Sequence, residues 1–203
     1  MKKLLLGIVG LFMFTGLFSQ KNVIGINTLA FAMGEYQLYY ERGITENISI
    51  RAGIPLLFIS QSYSDDVASG DISISAFGII PEMRYYFSGN SPKGFYLAPY
   101  AVFRRYSLSL KGTTTQSIFS NDPIESVSGK YGITMMGLGI LPGYQFLIGK
   151  IITIDINLGF GFYNISSGNG NYTTSSGTKT NFDADLSISG ILPRMGFSLG
   201  VAF

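Results

Sequence analysis

The chain has no cysteine, no histidine and no tryptophan among its 203 residues. Without cysteine there is no disulfide framework for an exported domain, and no thiol for an N-terminal lipid anchor. Without histidine the usual base of Ser-His-Asp hydrolysis is missing, as is the commonest transition-metal ligand. A carboxylate pair is the acid–base arrangement that remains, and Asp65-Asp66 in a polar stretch is its candidate. Adjacent acids in such a stretch are ordinarily just solvated. Charge is also sparse, with 14 Lys and Arg against 12 Asp and Glu. The basic residues are scattered singly, so no stripe is available to neutralise phosphates. The expectation is a protein that is not an enzyme, with no catalytic residue, cofactor, bound metal or nucleic-acid partner.

Long apolar runs are scarce as well. The one candidate, Leu4 to Phe18, follows Lys2 and Lys3 and gives way to Ser19-Gln20-Lys21, the order of a secretory signal peptide. Its fifteen residues fall short of the roughly 20 that a spanning helix needs. We therefore expect a signal peptide over 1–19, cut after Ser19, and a single domain over 20–203. Removing Lys2 and Lys3 leaves twelve basic against twelve acidic residues, so the mature chain is near neutral.

Glycine and aromatics are abundant instead: 26 Gly, 16 Phe and 13 Tyr. Apolar, aromatic and β-branched residues recur in eight segments, about 22–32, 34–43, 47–60, 71–88, 94–110, 131–147, 150–165 and 190–203. Each is at least as long as the roughly 9–11 residues that cross a bilayer as a tilted strand. In 150–165, Ile152, Ile154, Ile156, Leu158, Phe160 and Phe162 alternate with Thr153, Asp155, Asn157, Gly159 and Gly161. The last segment places Phe197, Leu199, Val201 and Phe203 on one face.

Connections between segments alternate in length. Those at Gly43 to Glu46, Ser88 to Gly94 and Gly149-Lys150 are short, while Gln61–Gly70, Gly112–Lys130 and Ser166–Ser189 are long and polar. Outer-membrane barrels have short periplasmic turns and longer external loops, and a mature N-terminus in the periplasm puts every short link there. The first external connection, around Met33-Gly34, is the exception. Tyr40, Tyr85, Phe87, Phe95, Tyr144, Phe146 and Phe203 then map near the periplasmic strand ends as an aromatic girdle. Arg42 and Arg105 share the lipid-facing parity but lie at strand ends. A soluble sandwich or lipocalin-like barrel gives the same alternation, so the leader, loop parity and girdle decide. They predict an all-β, eight-stranded antiparallel up-and-down transmembrane β-barrel in the outer membrane, crossing it many times.

Four segments, Asn22-Val23-Ile24-Gly25-Ile26-Asn27, Tyr39-Tyr40-Glu41-Arg42, Pro81-Glu82-Met83-Arg84-Tyr85-Tyr86-Phe87 and Lys93-Gly94-Phe95-Tyr96-Leu97-Ala98-Pro99-Tyr100, are similar to uncharacterised small outer-membrane barrels common in the Bacteroidota. The likeness extends over nearly the whole mature chain, and more distantly the layout resembles the OmpA transmembrane domain and OmpX. It implies fold and location rather than an activity. The terminal Phe203 with Phe197, Leu199 and Val201 resembles the assembly signal of such proteins, which implies the barrel assembly machinery and outer-membrane lipid as partners. Barrel proteases, phospholipases and palmitoyl transferases rely on a histidine that this chain lacks.

Strand parity sends Glu35, Glu41, Arg51, Glu82, Arg84, Arg104, Asp155 and Arg194 into the lumen, four acids and four bases. An eight-stranded interior is just wide enough for side chains to fill, so a salt-bridged polar plug is expected. The alternatives are a narrow channel or small-ligand pocket lined by Arg51, Glu82, Arg84, Arg104 and Arg194, and a lipid-modifying enzyme with a lateral gap in its wall. Gly137, Gly139, Gly159 and Gly161 share the inward parity, leaving either a cavity or space for Tyr and Arg from other strands. Gly168-Asn169-Gly170 and Gly137-Leu138-Gly139 lack the strand-to-helix setting of a phosphate cradle. Asp65, Asp66, Asp71, Asp183 and Asp185 form no recognisable Ca²⁺ loop. Asn47-Ile48-Ser49 and Asn164-Ile165-Ser166 match a glycosylation pattern that a bacterial chain gives little weight. The links 112–130 and 166–189 are the candidate recognition surface. They point to an extracellular ligand or another outer-membrane protein as a further partner, in a structural or surface-interaction role or beside a larger membrane complex.

Overall fold

Alternating side chains settle the local structure, because a strand turns successive residues to opposite faces and much of this chain is apolar on one parity and small or polar on the other. The computed structural model describes residues 21–64, 68–114, 125–174, 179–183 and 186–203. The expected signal peptide, Asp65, Asp66 and Asp185 lie outside the described residues. The elements are β1 (Asn22–Asn27), α1 (Thr28–Ala32), β2 (Glu35–Gly43), β3 (Ile48–Ser64), β4 (Ala68–Tyr86), β5 (Gly94–Thr114), β6 (Glu125–Ile148), β7 (Ile152–Thr174), β8 (Lys179–Asp183) and β9 (Ser187–Ala202).

All pairings are antiparallel. The order runs β6-β5-β4-β3-β2-β1-β9-β7, and β6 also pairs with β7, so eight staves close a ring. Strand β8 lies on the outer part of β7, from Asn169↔Asp183 to Thr173↔Lys179, and continues the β9 stave upward rather than adding a ninth. The two ends of the chain complete the closure: Asn22 N donates to Phe203 O at 3.1 Å, and Phe203 N donates to Asn22 O at 2.9 Å. The barrel fold expected from the sequence is the fold observed.

Two expectations change. The segment 22–32 is a strand only to Asn27, because the Asn27 side chain accepts from Ala30 N at 3.1 Å and caps α1. Leu29 and Ala30 favour the helix, and Gly34 at φ 84° ends it. The long polar connections, in turn, are largely strand: β3 reaches Ser64, β5 reaches Thr114 and β7 reaches Thr174. Cross-strand polar pairs sustain these extensions, as in Ser60 with Ser73 at 3.0 Å and Ser62 donating to Asp71 at 2.6 Å. At roughly 3.3 Å per residue, the 24 residues of β6 run about 80 Å.

The wall has one low side. β1 pairs with β9 only from Val23↔Ala202 to Asn27↔Ser198, and β2 pairs with β3 only as far as Glu35↔Leu57. Above those points, among the described residues, Ser187–Phe197 and Phe58–Ser64 each have a strand partner on one side alone. Helix α1 packs against both β9 and β2 at this notch, and Thr28 Oγ1 donates to Phe197 O at 2.9 Å. Odd residues of β9 turn their backbone groups toward β1, so Pro193 has its nitrogen on the free edge. Its missing N–H therefore costs no ladder bond.

Outside, the barrel carries a level apolar band. Its outward residues run over 48–58 in β3, 77–87 across β4 and its following turn, 95–103 in β5, 136–148 in β6, 152–162 in β7 and 191–203 at the β9 end. Leu138 is 69 % exposed, Phe160 61 % and Ile191 72 %. Toward the tall end the band stops at Ser75, Arg105, Thr134, Asn164 and Ser189. The ladder puts these residues at nearly one height, with Arg105 opposite both Phe77 and Thr134 and Asn164 opposite Ser189.

Candidate functional site

Six of the inward charges form one network in the half of the barrel nearest the short turns. Arg84, fully buried, is its centre. Its guanidinium donates to Glu82 Oε2 from Nε at 3.1 Å and Nη2 at 3.0 Å, to Asp155 Oδ2 from Nη2 at 3.0 Å, and to Glu41 Oε2 from Nη1 at 3.3 Å. Arg51 donates to Asp155 Oδ2 at 2.6 Å and to Ser198 Oγ at 3.2 Å, and lies 3.5 Å above the Tyr39 ring. Arg194 donates to Glu82 Oε1 at 2.7 Å and stacks over Tyr100 at 4.3 Å. Three carboxylates thus face three guanidinium groups, as buried charge requires.

Neutral groups complete the network. Glu41 Oε1 accepts from Ser49 at 2.6 Å and Tyr86 at 2.7 Å, and Asp155 Oδ1 accepts from Tyr96 at 2.7 Å. Arg84 lies 4.2 Å above the Tyr96 ring and also donates to Gln145 Oε1 at 2.9 Å. The amide nitrogen of Gln145 reaches Pro92 O at 2.9 Å, which ties the plug to the turn beneath it. Sequence reasoning missed Ser49, Tyr86, Tyr96, Gln145 and Ser198 as members. Their signal was available, since each shares the inward parity of a charged or polar neighbour two residues away or directly across the ladder.

Glycines make room for this interior. A Cβ on Gly139 would lie 2.6 Å from Tyr100 Cζ, and one on Gly161 2.6 Å from the Tyr100 hydroxyl oxygen. The Tyr100 ring therefore fills the space between β6 and β7, and its hydroxyl meets that of Tyr163 at 2.8 Å. The missing side chains make room here for the Tyr100 ring.

Arg104 stands apart from the six. Its Nη1 donates to Glu35 Oε2 at 2.6 Å, further toward the tall end. Above this pair and Arg194 the interior is not filled: a cavity of about 480 Å³ opens, with Leu57, Ile59, Val102, Met135 and Leu192 among its walls. The polar filling expected along the whole lumen thus stops halfway. The signal was an apolar residue on both parities, in Ile54-Pro55-Leu56-Leu57-Phe58-Ile59, Met135-Met136 and Ile191-Leu192. Among the described residues, Arg51 Nε, Arg104 Nε and Arg194 Nη1 are buried without a hydrogen-bond partner.

The remaining candidates are dispersed. Phe197, Leu199, Val201 and Phe203 form the outward edge of the last stave at 37–49 % exposure, with Phe203 at the level where the ring closes. Of the girdle aromatics, Tyr85 with Phe87, Phe87 with Phe95, and Tyr144 with Phe146 have ring centroids 5.2, 5.4 and 4.4 Å apart. Tyr40 turns its hydroxyl to Asn22 Oδ1 at 2.8 Å. Among the described residues no group of acids is arranged to hold a metal ion.

A family model described as "Protein of unknown function (DUF3575)" matches residues 4–188. No curated protein matches the sequence. Among solved structures, Acinetobacter baumannii CarO is similar at 15 % identity and TM-score 0.38, covering 92 % of this chain and 97 % of its own. A major outer membrane protein from Thermus thermophilus is similar at 14 % identity and TM-score 0.43, with 90 % and 97 % covered. The Escherichia coli outer membrane protease OmpT is similar at 12 % identity and TM-score 0.32, with 90 % and 92 % covered.

Proposed function

Because the chain belongs to the DUF3575 family, whose function is unknown, we propose a role from its own geometry: an integral outer-membrane barrel, not an enzyme, closed to ion flow by its charge network and presenting its tall end outward as an interaction surface. The observation that carries this reading is the level band of outward apolar residues. It spans roughly the 9–11 residues per strand that a tilted crossing takes, and it ends in a polar ring. The aromatic pairs near the short turns fit an interfacial girdle. A water-soluble barrel has no use for so much exposed apolar wall.

The plug supports a closed lumen. Glu41, Arg84, Asp155, Tyr86, Tyr96 and Gln145 are all fully buried, so water does not reach the centre of the network. Partners at the outer end meet the sheet extensions of β3 to β7, and the lipid wall leaves room for a neighbouring membrane protein.

Reconstitution tests the reading. Purified protein should migrate faster unheated than boiled on a detergent gel, and should give no conductance in a planar bilayer at high protein load. Protease added to whole cells should cut within 112–130 and 166–189. Cuts confined to the short turns would invert the topology, and steady conductance that changes on Arg104→Ala would replace the closed barrel with a channel. A ligand-binding barrel is the second reading, favoured by the cavity of about 480 Å³ above the plug.

A further inference from the structure

We propose that this cavity is a binding site for a single-chain amphiphile with a carboxylate head, entering from the outer half of the membrane past the free edge of β9. The inference rests on the membrane reading above. Its volume, about 480 Å³, falls in the roughly 300–1,000 Å³ range of small-molecule sites.

Three observations converge. First, the lining is mostly apolar, with Asn27, Gln37 and Tyr106 among it, and the floor holds two guanidinium groups beside the Glu35 carboxylate: the side chains of Arg104 and Arg194 keep 19 % and 14 % exposure, Arg104 paired with Glu35 at 2.6 Å and Arg194 with Glu82 at 2.7 Å. Guanidinium groups at one end of a largely apolar cavity suit a ligand with hydrogen-bond acceptors at one end and hydrocarbon along the rest.

Second, the cavity reaches the side of the barrel. Pro193 and Met195 lie on the outward parity of β9, yet both line it together with the inward Leu192. They do so because β1 stops at Asn27, leaving the β9 edge above Ser198 without a strand partner among the described residues. Third, that opening falls within the apolar band, since the outward residues of this stave are apolar up to Ile191. A chain lying in the outer leaflet could therefore slide in sideways without exposing its tail to water. Leu29 and Met33, from α1 and the turn after it, stand at this entrance.

The plug beneath gives the site its direction. Arg194 bridges cavity and network through Glu82 at 2.7 Å, so a head bound to Arg194 rests on a closed floor. The ligand is held or returned to the outer side, not passed inward.

The test uses the full barrel in zwitterionic phospholipid nanodiscs, with empty discs as the blank and cis-parinaric acid fluorescence as the readout. Saturable binding above the blank is expected, displaced by dodecanoate at a concentration about tenfold or more below that of dodecyltrimethylammonium. Leu192→Trp and, independently, Ile59→Trp should abolish the saturable component by placing an indole across the cavity. The Glu35→Gln/Arg104→Gln double variant, which removes the pair without stranding a charge, should retain binding but narrow the preference for the acid. Absence of saturable binding would overturn the proposal, as would binding that survives both tryptophan variants or displacement by the cation as readily as by the acid. Unheated gel mobility of the same discs separates the failures: an inserted barrel that binds nothing defeats this site alone, whereas a protein that never enters the disc defeats the membrane reading.

Discussion

Replacing Arg84 by methionine removes the centre of the charge network while keeping much of its volume. Glu82 would keep Arg194 at 2.7 Å, and Asp155 would keep Arg51 at 2.6 Å together with Tyr96 at 2.7 Å. Glu41 would not be so served. Its ion pair with Arg84 at 3.3 Å would be lost, leaving only the hydroxyl groups of Ser49 and Tyr86. A network of three acids and three bases would become three against two, with the surplus charge fully buried. Breaking a buried pair from one side costs about 3–5 kcal/mol, so Arg84→Met should be destabilised by about that amount. The Glu41→Gln/Arg84→Met variant removes both charges, and the glutamine carbonyl can still accept from Ser49 and Tyr86. It should recover about half of the loss or more.

The measurement is equilibrium urea unfolding in micelles, followed by gel mobility and far-ultraviolet circular dichroism, since the chain has no tryptophan. If Arg84→Met unfolded within about 1 kcal/mol of the parent protein, water would have to be compensating Glu41, and the dry plug would be refuted. If the double variant were less stable than the single one, Glu41 would owe its stability to something other than Arg84.

Three further outcomes are expected. Gly139→Ala should destabilise the barrel by about 1–3 kcal/mol through overpacking, because its Cβ would lie 2.4 Å from Phe160 O and 2.6 Å from Tyr100 Cζ; Gly132→Ala, with nothing within 4 Å, should be near neutral in the same urea titration. Leu158→Arg places a cation on a residue 61 % exposed at mid-band and should cost about 2–4 kcal/mol in lipid, whereas an unchanged or improved stability there would mean that the wall faces water. Phe203→Asp should lower the amount of barrel in the membrane fraction of cells while retaining the backbone bonds to Asn22, and normal levels would defeat an assembly role for that ring.

What the sequence displayed was parity, and parity recovered most of the interior. The eight expected lumen charges all turn inward because period-2 alternation survives along each stave, and Asp155 in the regular run 152–162 is the clearest case. Parity carries no height, however. It could not show that Arg104 stands above the network and pairs with Glu35, while Arg194 reaches down to Glu82. Helix α1 was hidden for a different reason: five residues are too few for a helical period to declare itself, and its signal was the Asn27 cap. The strand extensions resemble loops in the sequence because Ser, Thr and Gly favour turns, yet in register they supply side-chain pairs such as Ser60 with Ser73 at 3.0 Å.

Height is also what gives the barrel two unlike halves. Near the short turns, charge and aromatic rings occupy the lumen, and Gln145 fastens that filling to Pro92 at 2.9 Å. Toward the tall end the inward residues become apolar just where β1 and β2 end, so the loss of polar filling and the loss of wall coincide. A cavity with a complete wall would serve a solute coming from water through the mouth. A gap in the wall with a filled lumen behind it would only expose backbone edges to lipid, which is costly for unpaired N–H and C=O groups. The two together make sense of each other: Pro193 reduces the donors on the free edge, α1 covers part of it, and what remains leads from the apolar exterior to Arg104 and Arg194. On the proposed reading the closed half limits the open half to binding, since the same Arg194 that floors the cavity is paired with Glu82 of the plug at 2.7 Å.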